Sequence, residues 1–192
     1  LSGQEPAAAP PSPQPGSALS PDAVLEIPGG PRLIHFEAPG TAVASLRLSI
    51  PLTESPAEAG AGRVLVMAAL DRVGPLARRV GARIEGVRTF HGIAYTVTGP
   101  SAAFDHLAWL LRELVREPDQ GGIEGAVGRL QVELEQGGET PLGVLDTRLR
   151  EGVAPGLPPL SGSPASLAGL DWTRVRDVWG RSHLREAMTV VA

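Results

Sequence analysis

Four histidines could bind a metal ion or transfer a proton near neutral pH: His35, His91, His106 and His183. No two of them are four residues apart and the chain has no cysteine, so it lacks both a helical zinc-binding pair and a thiolate ligand. Asp105 precedes His106 on a predicted helix, where adjacent side chains point in different directions and form no dyad. The sequence also lacks a serine nucleophile elbow, a phosphate-binding loop and a dinucleotide fingerprint. We therefore predict no catalytic residue, no cofactor site and no metal site.

The helix that would carry catalytic or metal-binding side chains in this chain lies within residues 51–70, which read PLTESPAEAGAGRVLVMAAL. Ser55 and Glu58 are spaced as a capping box, and Pro56 suits the first helical position. The residues from Val64 to Leu70 are apolar on every side, which is typical of a helix surrounded by protein. The segment therefore predicts a buried central helix.

Two predicted strands precede the central helix, two follow it, and several helices then lead to a last strand. Alternating and apolar runs predict strands at 32–37, 43–50, 82–89, 92–98 and 187–192. Helical spacing predicts further helices after Pro100, around Ile123–Leu134, from Thr140 (with Leu142, Leu145 and Leu149) and from Asp171 to Trp179. We expect the first two strands to form a meander at the edge of the sheet, Gly74-Pro75 to interrupt the central helix, and residues 153–169 to form a loop. His91 lies in the turn between the middle strands, where it could line an exposed rim.

Composition limits the class of protein. With 192 residues and 42% hydrophobic content, the chain can form one ordinary domain. We predict a disordered Pro/Ala-rich leader or tether at residues 1–30 and a single domain at 31–192. The net charge of -4 with interspersed signs argues against nucleic acid, and no apolar run has the length of a membrane span. Because the chain begins with Leu before this leader, we expect a periplasmic or secreted protein, with a cytoplasmic location as the alternative.

The order of the predicted elements and several segments resemble one domain of the M16 family, which includes insulinase, pitrilysin and the mitochondrial processing peptidase. The segment IPLTESPAEAGAGRVLVMAAL is similar to the part of that family that carries the inverted zinc motif His-x-x-Glu-His. The family's next hairpin is similar to VGARIEGVRTFHGIAYTVTGP, and the helix after it is similar to FDHLAWLLRELVREP. The family's glycine loop and later helix are similar to LSGSPASLAGLDWTRVRDVW, and its final strand is similar to AMTVV. The resemblance covers residues 31–192. It implies an α+β, M16 peptidase-like domain with a mostly antiparallel sheet packed against helices.

By this resemblance, the zinc-motif positions fall on Arg63, Val66 and Met67, which share one side of the helix. Zinc hydrolysis needs neutral imidazole and carboxylate ligands and a base for the bound water. Arg63 is permanently charged, Val66 cannot act as a base and Met67 is a poor zinc ligand. The family's third ligand, a glutamate, corresponds to Glu133, which we interpret as a solvated residue or as an ion-pair partner of Arg63. We therefore expect no catalytic zinc and no enzyme activity.

The leading functional hypothesis is a non-catalytic M16-like domain that acts as a structural or peptide-binding partner of a zinc peptidase subunit or of a homologous half. The partner would be a homologous subunit or a second copy of the chain, and a peptide could add to a sheet edge at Val43–Ile50. One alternative is a stand-alone envelope adaptor or scaffold. A second is a peptidase with a non-standard metal site, which requires His91 or His106 to meet Glu133.

Overall fold

A computed structural model of the chain describes residues 20–138, 152 and 159–192. Its strands are β1 (Ala23–Glu26), β2 (Arg32–His35), β3 (Val43–Pro51), β4 (Arg83–Thr89), β5 (Gly92–Pro100) and β6 (Thr189–Val191). Its helices are α1 (Ala61–Arg79), α2 (Phe104–Leu114), α3 (Gln120–Gly138), α4 (Pro164–Ala168) and α5 (Trp172–Ser182). Short 3-10 turns occur at Pro56–Glu58, Ser101–Ala103 and Arg185–Ala187.

Within the described residues, the strands form one six-stranded sheet in the order β1-β2-β6-β3-β5-β4. The β2–β6 pair is parallel, and every other neighbouring pair is antiparallel. The prediction of an α+β domain with a mostly antiparallel sheet packed against helices is confirmed.

The predicted meander edge is wrong, because β6 lies between β2 and β3. Ser49 pairs with Thr189 on β6 and with Ala94 on β5, so β3 has a neighbour on each side. The proposed peptide edge at Val43–Ile50 is therefore wrong as well. A period-two pattern identifies a strand but not its neighbours, and here the last strand of the chain returns between the second and third.

The folded region begins before the predicted boundary at residue 31. Strand β1 lies inside the predicted leader and pairs with β2, with Val24 opposite Ile34. Hydrogen bonds to a neighbouring strand stabilise this short segment, which carries too little local signal to be predicted from the sequence. The rest of the leader, residues 1–19, and the predicted helix at Thr140 lie outside the described residues.

The core lies between one face of the sheet and the helices. Inward-facing side chains alternate along the central strands and are buried: Leu46, Leu48 and Ile50 on β3, and Ile93, Tyr95 and Val97 on β5. Ser45 and Arg47, which point to the opposite face, are exposed. Helix α1 packs against β4 and β5, and α2 packs against β5 and β3. The helices therefore cover one face of the sheet, as the alternation of burial along an antiparallel sheet indicates.

Two local predictions about α1 are corrected. The Ser55–Glu58 capping box is present, but it caps the 3-10 turn at Pro56–Glu58. Helix α1 itself begins at Ala61, after Gly60. The helix also continues through Pro75 rather than stopping there. Val73 and Ala77, on either side of Pro75, are fully buried, so tertiary packing outweighs the hydrogen bond that proline removes. In the predicted loop at 153–169, the described part contains the short helix α4.

Candidate functional site at the start of helix α1

Arg63 and Glu133 are brought together by the packing of α1 against α3. Their Nη2 and Oε2 atoms are 3.8 Å apart, and the two side chains are 36% and 53% exposed. At this separation and exposure, the attraction contributes at most about 1 kcal/mol to stability. Its functional consequence is local: the guanidinium places a fixed positive charge beside the carboxylate.

Val66 and Met67 do not form an open polar face with Arg63. Val66 is fully buried and points at the sheet, where a Cβ on Gly86 of β4 would lie 2.9 Å from its Cγ1 atom. Met67 is half-buried. The three positions therefore present a cation, a buried aliphatic side chain and a thioether, rather than a set of metal ligands.

A buried ion pair that the sequence analysis missed lies beside the first turn of α1. Glu54 and Arg88 are only 4% and 6% exposed in their side chains, and their Oε2 and Nη2 atoms are 2.8 Å apart. The second oxygen of Glu54 accepts a hydrogen bond of 2.6 Å from the backbone N–H of Gly62. A Cβ on Gly62 would lie 2.6 Å from the Arg88 side chain, so only glycine allows this contact. The pair thus fixes the loop after β3 to the N-terminus of α1, where a carboxylate is favoured.

Arg88 also holds the tip of the β4–β5 hairpin. Its Nη1 atom donates to the carbonyl oxygens of Thr89 and Gly92, the latter at 3.1 Å. The carbonyl of His91 accepts a hydrogen bond from Leu52 at 3.2 Å. His91 itself is exposed at this tip. The first turn of α1, the loop before it and the hairpin tip therefore form one hydrogen-bonded junction.

Helix α4 contacts the same junction from the other side. Ser166 donates a hydrogen bond of 2.9 Å from its hydroxyl to the carbonyl oxygen of Ala59. Gly60 adopts φ +98°, and a Cβ on Gly162 would lie 2.5 Å from the Ala59 oxygen, so both glycines are required for this close approach. Burial opposes ionisation of Glu58 in the adjacent turn, but hydrogen bonds from Ser55 and Arg181 lower its pKa overall.

The four histidines lie in different parts of the fold. His35 is in β2, His91 is at the hairpin tip, His106 is on the exposed side of α2 and His183 follows α5. Among residues 20–138 and 159–192, no three His, Cys, Asp or Glu side chains are grouped so that they could hold a metal ion. The structure thus places neither His91 nor His106 in such a group with Glu133.

His183 is the histidine with the most distinctive environment. Its ring stacks on Trp179 with centroids 5.4 Å apart, and its Nδ1 atom is 2.9 Å from the hydroxyl of Ser182. Burial lowers the pKa of His183 to about 4, against a smaller opposing effect from a hydrogen bond with the Trp179 backbone. This histidine is neutral at physiological pH and packs as an aromatic residue.

No protein-family model matches the chain, and no curated protein matches it in sequence. Among solved structures, the chain is similar to a protein named as an M16-like peptidase from Alicyclobacillus acidocaldarius, with a TM-score of 0.76 and 14% sequence identity. That match covers 88% of this chain and 44% of the peptidase. The chain is also similar to a protease from Helicobacter pylori, with a TM-score of 0.81 and 12% identity, over 90% of this chain and 46% of the protease.

These comparisons establish the fold: the chain has the α+β fold of M16-like peptidases. It spans less than half the length of either structure. Of the described helices, none combines the length and apolar character needed to cross a membrane.

Proposed function

We propose that the chain is a non-catalytic M16-like domain that serves as a structural or peptide-binding partner of a zinc peptidase subunit or of a homologous half. The observation that carries this proposal is the ion pair between Arg63 and Glu133. By resemblance, these residues occupy positions where the peptidases place a histidine ligand and a glutamate ligand of zinc.

The charges explain why this ion pair supports a passive role. Zinc lowers the pKa of its bound water because a dication lies among neutral imidazoles and a carboxylate. Here the permanently charged guanidinium of Arg63 lies 3.8 Å from the carboxylate of Glu133, and a cation at this position repels a metal ion. Val66, at the position of the catalytic base, has no proton to exchange.

The size of the domain supports association with a partner. The chain corresponds to 44% of one neighbouring structure and 46% of the other, so a domain of this kind can pack against a second half, on the same chain or on another. The junction around Glu54 and Arg88 supports the same role, since it fixes the start of α1 through buried polar contacts that require no metal. A domain held in this way can support the conformation of a partner subunit without supplying catalytic residues itself.

The proposal is tested by affinity purification of the tagged chain from its native extract, with excess untagged chain as competitor. We expect recovery of a homologous chain that carries His-x-x-Glu-His, and its loss under competition. Peptide hydrolysis is then measured for the recovered subunit alone, for this chain alone with zinc, and for the mixture.

We expect the chain alone to be inactive and the mixture to differ from the zinc subunit alone in kcat or KM. Zinc-dependent hydrolysis by the chain alone would overturn the proposal in favour of a peptidase with a non-standard site. Recovery of unrelated envelope proteins only would overturn it in favour of an adaptor.

A further inference from the structure

Strand β4 forms one edge of the sheet within the described residues. It hydrogen-bonds to β5 along Arg83–Thr89 and to no other described strand. Every second backbone N–H and C=O of such a strand points away from the sheet and can pair with another strand. Proteins usually protect an edge of this kind with charged side chains, so the order of charges on β4 determines what the edge can accept.

Two exposed and opposite charges of β4, Arg83 and Glu85, flank Ile84, whereas the third charge of the strand, Arg88, is buried. Arg83 and Glu85 lie on the face of the sheet opposite to the helices, and their side chains are 81% and 58% exposed. Within one strand the two side chains form a contact of 2.7 Å, which is worth little at this exposure. Their opposite signs on either side of Ile84 make the edge complementary to an antiparallel copy of itself.

We propose that β4 pairs with β4 of a second copy of this chain, antiparallel and centred on Ile84, to form one continuous sheet across the dimer. In this register Arg83 of each copy lies opposite Glu85 of the other, so a twofold axis produces two cross-strand ion pairs. Ala82, which immediately precedes β4, would then lie opposite Gly86, so no bulky side chain obstructs the next pair along the ladder.

The register also explains why a second copy is favoured over an arbitrary peptide. Backbone pairing alone accepts any extended segment, whereas the sequence Arg83-Ile84-Glu85 adds attraction only for a strand with the reverse order of charges. An antiparallel copy of β4 has that order. The pairing is independent of the proposed association with a zinc peptidase.

The test is sedimentation equilibrium of the full chain and of three variants, Arg83→Glu, Glu85→Arg and the double exchange R83E/E85R. Either single variant places like charges opposite each other at both symmetric positions, so we expect the dimer dissociation constant to rise by about tenfold or more. The double exchange restores both pairs and should restore the dimer. A mixture of the two single variants is the most decisive measurement. In the heterodimer, residue 83 of each copy again faces a residue 85 of opposite charge, so the mixture should associate.

Thermal unfolding of the variants at low concentration serves as the folding control, and exposed substitutions of this kind should leave it nearly unchanged. Dimerisation of both single variants with wild-type affinity would show that the contact lies elsewhere and would overturn the proposal. A wild-type chain that remains monomeric over the accessible concentration range, or a mixture of single variants that fails to associate, would overturn it as well.

Discussion

At the scale of single residues, the pair Arg63 and Glu133 can be converted into a metal site if Arg63, Met67 and Glu133 correspond to the zinc-ligand positions of M16 peptidases, as we infer. The double substitution R63H/M67H places two histidines at i and i+4 on α1, on the side where Arg63 meets Glu133. We expect this variant to bind one Zn²⁺, measured by calorimetry and by the visible absorption of bound Co²⁺. Binding should be lost when Glu133→Gln is added and should be absent in the M67H variant. A double variant that binds no metal would contradict the correspondence.

The side chain of Arg72 caps the C-terminal end of helix α2. From α1 it donates hydrogen bonds to the carbonyl oxygens of Glu113, Arg116 and Glu117 at the end of α2, at 2.7, 3.1 and 3.3 Å. Burial lowers the pKa of Arg72, and its guanidinium interacts favourably with the negative end of the helix. We expect Arg72→Met to lower the free energy of unfolding by about 2 kcal/mol in urea titrations. The matched control is Arg78→Met, on the exposed side of the same helix, which should change it little.

His183 makes stability depend on pH in a defined direction. Its pKa is about 4 in the folded protein, because burial disfavours the imidazolium, and near 6.5 when unfolded. Between these values the unfolded chain binds more protons, so the stabilisation is complete above pH 6.5 and is lost as pH falls towards 4, by roughly 3 kcal/mol.

The comparison protein for His183 is His183→Phe, which keeps a ring against Trp179 and cannot titrate. Unfolding free energies of both proteins are measured from pH 7 to pH 4, and their difference isolates this one histidine from the carboxylates. We expect the variant to become progressively more stable relative to the wild type as pH falls. A difference that stays constant would show that His183 is accessible to protons in the folded state.

At the scale of elements, the junction of β3, α1 and the β4–β5 hairpin depends on the buried pair of Glu54 and Arg88. Replacing Arg88 with Met leaves the carboxylate of Glu54 buried, and among the described residues the N–H of Gly62 is then its one remaining partner. We expect a loss of about 3 to 5 kcal/mol in denaturant unfolding, the cost typical of stranding one charge of a buried pair. Arg129→Met, which removes an exposed pair with Asp71, is the control and should cost less than about 1 kcal/mol. Equal losses in the two variants would refute the clamping role of Arg88.

Most elements of this fold could be predicted from local sequence patterns, and their arrangement could not. The hairpin of β4 and β5 and the helices α2 and α3 follow directly from period-two and helical spacing. The insertion of β6 between β2 and β3 depends on pairing between residues far apart in the chain, such as Leu33 with Val190, which no local pattern contains. The predicted interruption of α1 at Pro75 was wrong, because burial of the neighbouring residues keeps the chain helical there.

The candidate site was predictable only in part, for a similar reason. The contact between Arg63 and Glu133 was one of two interpretations of Glu133, and the structure brings these residues together. The pair of Glu54 and Arg88 was missed, although a signal existed: Arg88 follows Ile84 and Gly86 at period two, which places an arginine on the inward face of β4. An inward arginine needs a buried carboxylate, and Glu54 in the loop before α1 was available as its partner.

At the scale of the whole molecule, a domain that holds its central helix by hydrogen bonds and packing should unfold independently of metal. We expect the melting temperature of the full chain to be the same, within about 1 °C, in EDTA and in excess zinc. A site occupied at 100 times its dissociation constant would instead add about 2.7 kcal/mol, or roughly 5 to 10 °C for a domain of this size. The R63H/M67H variant is the matched positive control, because its melting temperature should rise with zinc. A comparable rise in the wild-type chain would mean that this M16-like domain binds metal in the folded state, and its assignment as a passive partner would fail.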